Sequence, residues 1–259
     1  MGNDLLDKLL HSAKYRDICP ETVRRVWADC VKRYKKPRRD VEKAAREALH
    51  GITGAFMTPQ EARQLAFDMH AWYVSKTDAG LEKMLSRHAS TRERLPLTDM
   101  DALYGRIYAS SCKPQSVLDV ACGINPLYLG ARGIPTVGID ISGAAVYAVN
   151  CFHESYGMPV SAECADVLFP GAIPSAHFDM ALLFKLLPLL ERQETGGAVR
   201  VMEAVNADWL VVSFPTRTLG GRNVGMAVQY GAWIKAHLPA GRRITSSFET
   251  QNELFFVLH

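Results

Sequence analysis

Acidic residues stand at or just after the ends of the first three predicted strands, at Asp119, Asp140 and Asp166. The carboxyl ends of parallel strands share one edge of a sheet, where doubly wound folds bind their ligands. A carboxylate after the second strand accepts hydrogen bonds from ribose hydroxyls, and one after the third strand can meet an adenine amino group. Each acid alone would also suit a solvated turn or a helix cap. The three in succession favour a site for a nucleoside.

The turn after the first predicted strand, "ACGINP" at residues 121–126, holds a single glycine, Gly123. Dinucleotide-binding turns have the spacing G-x-G-x-x-G, because a pyrophosphate has to approach the backbone and a helix amino end closely. Ile124, Asn125 and Pro126 crowd that space, which disfavours NAD and FAD. A nucleoside without phosphates needs only a tight turn and a carboxylate for its ribose. We therefore predict S-adenosylmethionine as the cofactor.

The elements that position these residues alternate between strand and helix patterns from residue 115 onward. Helical runs lie around Leu127–Leu129, Ala144–Ser155, Leu189–Ala204 and Gly225–His237. The strand-like runs between and after them are Ser116–Val120, Thr136–Ile139, Val160–Glu163, Phe178–Phe184, Trp209–Ser213, Arg243–Phe248 and Glu253–Leu258. Such alternation predicts a mostly parallel sheet covered on both faces, and the short "ETQN" link predicts a terminal antiparallel hairpin. The predicted fold is α/β, a Rossmann-like class I methyltransferase sheet of seven strands with an N-terminal helical domain.

The first ~95 residues carry helical patterns only. Pro20 begins a 3.6-residue apolar stripe that ends before Pro37, Asp40 is a predicted cap, and Thr58-Pro59 predicts a further helix start. Between Lys14 and Arg46 there are twelve Lys/Arg and five Asp/Glu, although the whole chain has a net charge of only +3. This asymmetry indicates a surface for a polyanion. We expect an RNA-docking domain at residues 1–95 and a catalytic domain at residues 96–259.

Composition sets broad limits on the class of protein. A chain of 259 residues with 48% apolar content has enough material for a full core. None of the six cysteines has C-x-x-C spacing, so we expect reduced thiols and no metal framework. No signal-peptide pattern opens the sequence, and no apolar run is long enough to span a membrane. These features predict a soluble cytoplasmic protein.

Four segments carry a specific resemblance to a known family. They are "HASTRERL" (His88–Leu95), "DVACGINPL" (Asp119–Leu127), "LLFKLLPLLER" (Leu182–Arg192) and "SFPTRTLGGRNVGM" (Ser213–Met226). Together with "KYRDICPETVRR" and "LHGITGAF", they resemble the aminoglycoside-resistance 16S rRNA (guanine-N7) methyltransferases, the Arm/Rmt group. The resemblance implies methylation of N7 of one guanine in the decoding A site of assembled 30S subunits, and resistance to aminoglycosides that bind there.

The resemblance also implies roles for individual residues. Arg94 corresponds to the partner of the methionine carboxylate, a charge-assisted pairing. Phe56, in the N-terminal domain, would close over the pocket, although an aromatic residue there is more often plain core. The other implied cofactor contacts are His88, Ala89, Ser90, Ala121, Val167, Phe184 and Gln193.

The end of the fourth strand, where many methyltransferases place their catalytic motif, reads Phe184-Lys185-Leu186-Leu187-Pro188. It has neither the Asn/Asp-Pro-Pro-Tyr type of motif used on exocyclic amines nor a nucleophilic cysteine. Guanine N7 fits this absence, because its lone pair is free without deprotonation and attack requires mainly positioning. Lys185 could donate to guanine O6 or hold a phosphate, and Glu191 could orient Lys185 or bind the amino edge of the base. The ordinary alternatives are a snorkelling lysine and a first-turn helix acid.

Two segments are predicted to contact RNA. The first is the basic stretch over a helix and the turn at Pro37, and the second is the loop after the fifth strand, which ends at Met226. Cations of this kind bind phosphates without reading the sequence, and Met226 could wedge against a flipped base. The predicted RNA contacts are Arg24, Arg25, Lys32, Arg33, Lys35, Lys36, Arg38, Arg39, Arg217, Arg222 and Met226.

Two other functions stay open at this stage. The helical domain could be the lid of a small-molecule methyltransferase, or the scaffold could bind RNA without catalysis. The basic stretch argues against the first alternative, and the complete series of strand-end acids with Lys185 argues against the second. The sequence gives no sign of an obligate protein partner or a membrane, and we expect a monomer acting on 16S rRNA within the 30S subunit.

Overall fold

A computed structural model describes residues 2–34, 39–53, 57–216 and 225–259 of the chain. Its centre is a seven-stranded sheet with the strand order β3-β2-β1-β4-β5-β7-β6. Strands β1 to β5 run parallel, and β7 is antiparallel to both β5 and β6. The strands are β1 (Val117–Val120), β2 (Thr136–Asp140), β3 (Val160–Cys164), β4 (Phe178–Phe184), β5 (Ala207–Pro215), β6 (Ile244–Glu249) and β7 (Glu253–Leu258). The predicted fold class is confirmed, and so is the terminal hairpin.

The central strands are buried on both faces, as expected of parallel strands covered by helices. Alternate residues of one strand point to opposite faces, and they enter two separate cores. Met180 and Leu182 of β4 pack in the core of one face, whereas Ala181 and Leu183 pack in the core of the other. This explains why the strands read as continuous apolar runs and still specify two layers.

Helices cover both faces of the sheet. The first core receives apolar residues from α4, α5, α7, α8 and α9, and the second receives them from α10, α11 and α12. The helices are α1 (Gly2–Leu10), α2 (Pro20–Tyr34), α3 (Arg39–Thr53), α4 (Pro59–Ser75), α5 (Asp78–Leu85), α6 (Ala89–Arg92), α7 (Leu97–Ala109), α8 (Asn125–Ala131), α9 (Gly143–Tyr156), α10 (Leu187–Gln193), α11 (Gly197–Ala204) and α12 (Met226–Ala236). No helix in the described ranges is long and apolar enough to cross a membrane.

Helices α1 to α3 have a small core of their own, which includes Leu9, Val23 and Trp27. Two backbone hydrogen bonds fasten this unit to the segment after β2: Cys19 N–H donates to Ile141 O at 2.7 Å, and Gly143 N–H donates to Asp17 O at 2.7 Å. Helices α4 and α5 instead share the core of the sheet. The division at residue 95 therefore stays a prediction, although α1 to α3 are the part with a separate core.

The predicted helix boundaries are partly confirmed. Thr58 caps α4, its side chain accepting from Glu61 N–H in a capping box, as the Thr-Pro start predicted. The predicted single run Leu189–Ala204 is wrong, because Gly196 takes a left-handed conformation and separates α10 from α11. Helix α7 is not among the predicted helices, and its Leu97, Met100, Leu103 and Ile107 pack into the core of the sheet.

Candidate active site

A pocket with about 1090 Å³ of empty space, part of it open to solvent, lies at the carboxyl ends of the central strands. Its place in the fold is where doubly wound sheets bind ligands. Of the predicted site residues, the pocket is lined by His88, Ser90, Arg94, Ala121, Asp140, Asp166, Val167, Phe184, Lys185 and Gln193. The structure thus gathers residues from five segments of the sequence around one cavity.

The turn from β1 to α8 forms the floor of the pocket. Ala121 and Gly123 have φ values of 59° and 51°, so the chain bends twice through the left-handed region. A Cβ atom at position 123 would lie 2.8 Å from Cε1 of His88. Glycine is therefore required here both by the backbone conformation and by the close imidazole. His88 itself caps α6, its Nδ1 accepting from Ser90 N–H.

Asp119, at the end of β1, is buried beneath this turn. Asn125 Nδ2 donates to Asp119 Oδ2 at 2.7 Å and is also 2.8 Å from the hydroxyl of Tyr104. Burial raises the pKa of the Asp119 carboxyl to about 7, although the hydrogen bond from Asn125 and the charge of Arg94 lower it. The Asn125-Pro126 pair at the start of α8 thus holds a buried acid and is not a catalytic amide motif.

Asp140, at the end of β2, closes the turn from the other side. Its Oδ2 accepts from Gly123 N–H at 2.7 Å, and its Oδ1 accepts from Ser142 N–H at 2.8 Å. Burial raises the pKa of the carboxyl, and these backbone donors oppose the shift. Because each carboxylate oxygen has more than one acceptor site, Asp140 can still accept from a ligand hydroxyl within the pocket.

Asp166, after β3, is joined to the N-terminal unit by Arg25. Its Oδ2 accepts from Arg25 Nε at 2.9 Å and from Arg25 Nη2 at 2.7 Å. The same Nη2 donates to Gln193 Oε1 at 2.7 Å. The Arg25 side chain therefore faces the pocket rather than solvent in this structure, and its predicted contact with RNA stays a prediction. One turn of α2 has 3.6 residues, so Arg24 faces solvent while its neighbour Arg25 faces the pocket.

Lys185 follows β4 with a φ of 54°, a left-handed conformation that is unusual for a lysine. Its N–H donates to both the carbonyl and the hydroxyl of Ser213 at 3.0 Å, which fixes the turn against β5. Its Nζ pairs with Glu93 and lies 4.0 Å from Glu253 Oε1. Strained backbone of this kind collects at functional sites, and here it presents an ammonium group to the pocket.

Arg94 and Glu253 form a buried ion pair beside Lys185. Arg94 Nε and Nη2 lie 2.9 and 3.1 Å from the two oxygens of Glu253, and the guanidinium stands 4.7 Å from the ring centre of Phe184. Burial by itself would raise the pKa of the Glu253 carboxyl. The positive charges of Arg94 and Lys185 have a larger combined effect, so the pKa is lowered. Arg94 lines the pocket, and its pairing with a ligand carboxylate stays a prediction.

Glu191 is not where the sequence analysis expected it. Its Oε1 accepts from Gly196 N–H at 2.8 Å, and its Oε2 has no hydrogen-bond partner among the described residues. It does not line the pocket. The expected orientation of Lys185 by Glu191 does not occur, because the first turn of α10 carries Glu191 away from the end of β4 and Glu93 takes that place.

The predicted RNA contacts are only partly described. Arg24, Lys32 and Arg33 are exposed on α2, where Arg24 pairs with Glu21 and Lys32 with Asp29. Met226 begins α12 and is half-buried. The structure describes only the backbone of Arg39. The other predicted RNA contacts lie outside the described residues, namely Lys35, Lys36, Arg38, Arg217 and Arg222. Phe56, which was predicted to close over the cofactor pocket, also lies outside them.

Three residues at the site escaped the sequence reasoning as functional candidates. Glu93 lies inside the "HASTRERL" segment but was not singled out, and Glu253 opens the last strand with no local motif around it. Tyr104 meets Asn125 through helix α7, which itself was missed. The signal that could have found Glu253 is an acidic residue at the start of an apolar strand, since acidic residues are almost never buried unless they are paired.

The sequence of this chain matches a known protein family over most of its length. The model of the family "Ribosomal RNA methyltransferase (FmrO)" matches residues 11–252. The chain belongs to this family. It is 42% identical to a 16S rRNA (guanine(1405)-N(7))-methyltransferase of Serratia marcescens over 257 residues, covering 99% of this chain and 97% of the relative.

Solved structures of family members share the whole fold. The 16S rRNA methyltransferase RmtF, crystallised with S-adenosyl-L-homocysteine, superposes with a TM-score of 0.89 at 41% identity, over 100% of this chain and 97% of RmtF. The 16S rRNA methylase RmtB superposes with a TM-score of 0.85 at 37% identity, over 100% of this chain and 98% of RmtB. The family resemblance inferred from the sequence is thereby confirmed.

Proposed function

We propose that this protein is a 16S rRNA methyltransferase that transfers a methyl group from S-adenosylmethionine to N7 of guanine 1405, the base named for its relatives. The observation that carries the proposal is the end of β4, where Phe184 and Lys185 line the pocket beside the strand-end acids. Within the described residues, the lining of that pocket holds one thiol, Cys122, buried in the β1 turn rather than placed at β4. A ring nitrogen with a free lone pair suits this set of side chains.

The residues around the pocket fit a nucleoside cofactor with an amino-acid tail. Gly123 lets the His88 ring pack closely against the turn after β1, Asp140 would accept from ribose hydroxyls, and Asp166 would accept from the adenine amino group. Arg94 and Asp119 would face the amino-acid end. S-adenosylmethionine, when bound, supplies a methyl group made electrophilic by the sulfonium.

The protein then has little covalent chemistry to perform. Lys185 would donate to O6 of the target guanine, the usual cation acceptor on that base, and this would hold the base with N7 towards the cofactor. Glu93 would keep the ammonium group in place until the base arrives, since it pairs with Lys185 in the free protein. Positioning of this kind supplies the rate enhancement without a general base.

Docking on the ribosome would use the exposed cations of α2. Arg24, Lys32 and Arg33 lie on its solvent face, where they can meet phosphates without reading sequence. The target base has to leave its stack to reach the pocket, and Met226 at the start of α12 would support the flipped base. We propose that a monomer acts in the cytoplasm on the assembled 30S subunit, and that methylation confers resistance to aminoglycosides that bind the A site.

Transfer of a tritiated methyl group from S-adenosylmethionine tests the function. Isolated 30S subunits, naked 16S rRNA and a panel of small molecules are offered to the protein and to Lys185→Ala. We expect label in 30S subunits only, and at least a hundredfold loss with Lys185→Ala, while calorimetry with S-adenosylhomocysteine gives a similar Kd for both proteins. Label in a small molecule would favour the small-molecule enzyme, and no label with intact RNA binding would favour a binding protein.

A further inference from the structure

Helix α2 presents two adjacent arginines to different surroundings. The Arg24 side chain is 55% exposed and pairs at the surface with Glu21, whereas the Arg25 side chain is 15% exposed and lines the pocket. Successive residues of a helix point about 100° apart. The same helix that offers cations to RNA therefore sends one guanidinium into the wall of the cofactor site.

Arg25 ties together two side chains from distant segments. Its bonds to Asp166 and Gln193, of 2.7 to 2.9 Å, join the end of β3 to the last turn of α10. Asp166 Oδ1 also accepts from Leu168 N–H at 3.0 Å, and Gln193 Nε2 donates to Leu189 O at 3.1 Å. Both side chains are thus oriented by two partners each, and Arg25 is the partner they share.

The attachment of α2 does not depend on Arg25 alone. The hydrogen bonds of Cys19 with Ile141 and of Gly143 with Asp17 precede α2 and involve only backbone atoms. Val23, Val26 and Trp27 of α2 are buried in the core shared with α1 and α3. Removing the guanidinium should therefore leave the helix in place and unfasten only Asp166 and Gln193.

We propose that Arg25 is a positioning residue of the cofactor site, which holds Asp166 and Gln193 for the adenine end of S-adenosylmethionine. The inference rests on the proposed function and deepens it. Asp166 is almost fully buried, and a buried carboxylate without its counter-ion is strongly disfavoured. Without Arg25 the side chain of Asp166 loses its fixed orientation and turns to solvent, and adenine loses an oriented acceptor.

The test compares Arg25→Ala, Arg25→Lys and the matched control Arg24→Ala. Calorimetry gives the Kd of S-adenosylhomocysteine, binding to 30S subunits is measured separately, and methyl transfer to 30S subunits gives KM and kcat. We expect Arg25→Ala to raise this Kd and the KM for S-adenosylmethionine at least tenfold, the loss of a charge-assisted hydrogen bond. The kcat at saturating cofactor and the affinity for 30S subunits should change less than about twofold, and Arg25→Lys should recover part of the loss.

Arg24→Ala should behave in the opposite way, with unchanged cofactor affinity and weaker binding to 30S subunits. A Kd for S-adenosylhomocysteine that Arg25→Ala leaves unchanged would overturn the inference, and so would a loss confined to 30S binding. If circular dichroism shows that Arg25→Ala does not fold, the same measurements on Arg25→Lys test the inference. A Kd for S-adenosylhomocysteine equal to that of the unsubstituted protein would then overturn it. No uptake of S-adenosylhomocysteine by the unsubstituted protein would contradict the proposed function itself.

Discussion

Burial decides the charge state of two titratable side chains in the pocket. Burial, with help from Arg94, lowers the pKa of His88 to about 4, so its ring is neutral near pH 7. Burial raises the pKa of Asp119 to about 7, so its carboxyl is close to half-ionised under the same conditions. Residues near their midpoint respond most to a charged ligand, and Asp119 is therefore the sensitive group.

The affinity for S-adenosylmethionine should depend on the ionisation of Asp119. The cofactor carries a sulfonium and an ammonium group, which favour the carboxylate over the carboxyl form. At pH 6 only about a tenth of Asp119 is ionised, so we expect the Kd from calorimetry to be about five- to tenfold higher at pH 6 than at pH 8.

In Asp119→Asn this part of the pH dependence should vanish, and the Kd should be high throughout. The stability of the folded protein should depend on pH in the opposite direction to the affinity for S-adenosylmethionine. Because the folded pKa is raised, Asp119 contributes stability below its unfolded pKa that is lost as the pH rises towards about 7. An equal pH dependence of the Kd in the two proteins would contradict the role of Asp119.

At the scale of elements, the turn after β4 is held by its neighbours in the sheet. Phe184 of β4 pairs with Ser213 of β5, and Glu253 opens β7 opposite the end of β5. Ser213 Oγ donates to Glu253 Oε2 at 2.6 Å while its own oxygen accepts from Lys185 N–H. The strained Lys185 is thus supported by three strands, with Glu253 at the junction.

Glu253→Gln should destabilise the protein through this junction. The substitution keeps the shape but leaves the buried Arg94 without its counter-charge, and breaking such a pair costs about 3–5 kcal/mol of the free energy of unfolding. Urea unfolding followed by circular dichroism measures the change. The matched control is Glu249→Gln at the exposed end of β6, for which we expect a change within about 0.5 kcal/mol. Similar midpoints for the two variants would contradict the role of Glu253.

The sheet was predictable from the sequence because burial on both faces makes each central strand a continuous apolar run, and the edge strand β3 is the exception. Strand β4 was predicted with its observed bounds, Phe178–Phe184. Helices α10 and α11 were merged, since the break depends on the conformation of Gly196 rather than on a change of apolar period. The apolar patterns thus predicted the strands and most helices, whereas the left-handed conformation of Gly196 set the boundary between α10 and α11.

The strand-end acids were predicted for the same reason, because strand ends of a parallel sheet meet at one edge. The partners of those acids were not predictable, since they come from remote parts of the chain. Arg25 and Asp166 are 141 residues apart, and Arg94 and Glu253 are 159 residues apart. Nothing in the local sequence distinguishes Arg25 from its exposed neighbour Arg24, because neither residue belongs to the buried apolar stripe of α2.

At the scale of the whole molecule, the chain has a basic N-terminal unit fastened beside a pocket rich in acids. The local excess of Lys/Arg between Lys14 and Arg46 contrasts with a net charge of +3 for the chain. Cations on the surface of α2 favour binding to phosphates, which should weaken steeply as salt is raised. The pocket stands at the junction of this unit with the sheet, where a docked RNA strand can present a base.

The proposed product differs from the substrate by one methyl group on N7 of one guanine, and chemical mapping of the methylated RNA locates that group. Borohydride followed by aniline cleaves RNA at N7-methylguanosine, and primer extension on 16S rRNA from treated 30S subunits reads the position. We expect one new stop caused by cleavage at guanine 1405, dependent on S-adenosylmethionine and absent with Lys185→Ala. Methyl incorporation into the subunit without cleavage at this guanine would contradict the proposed function.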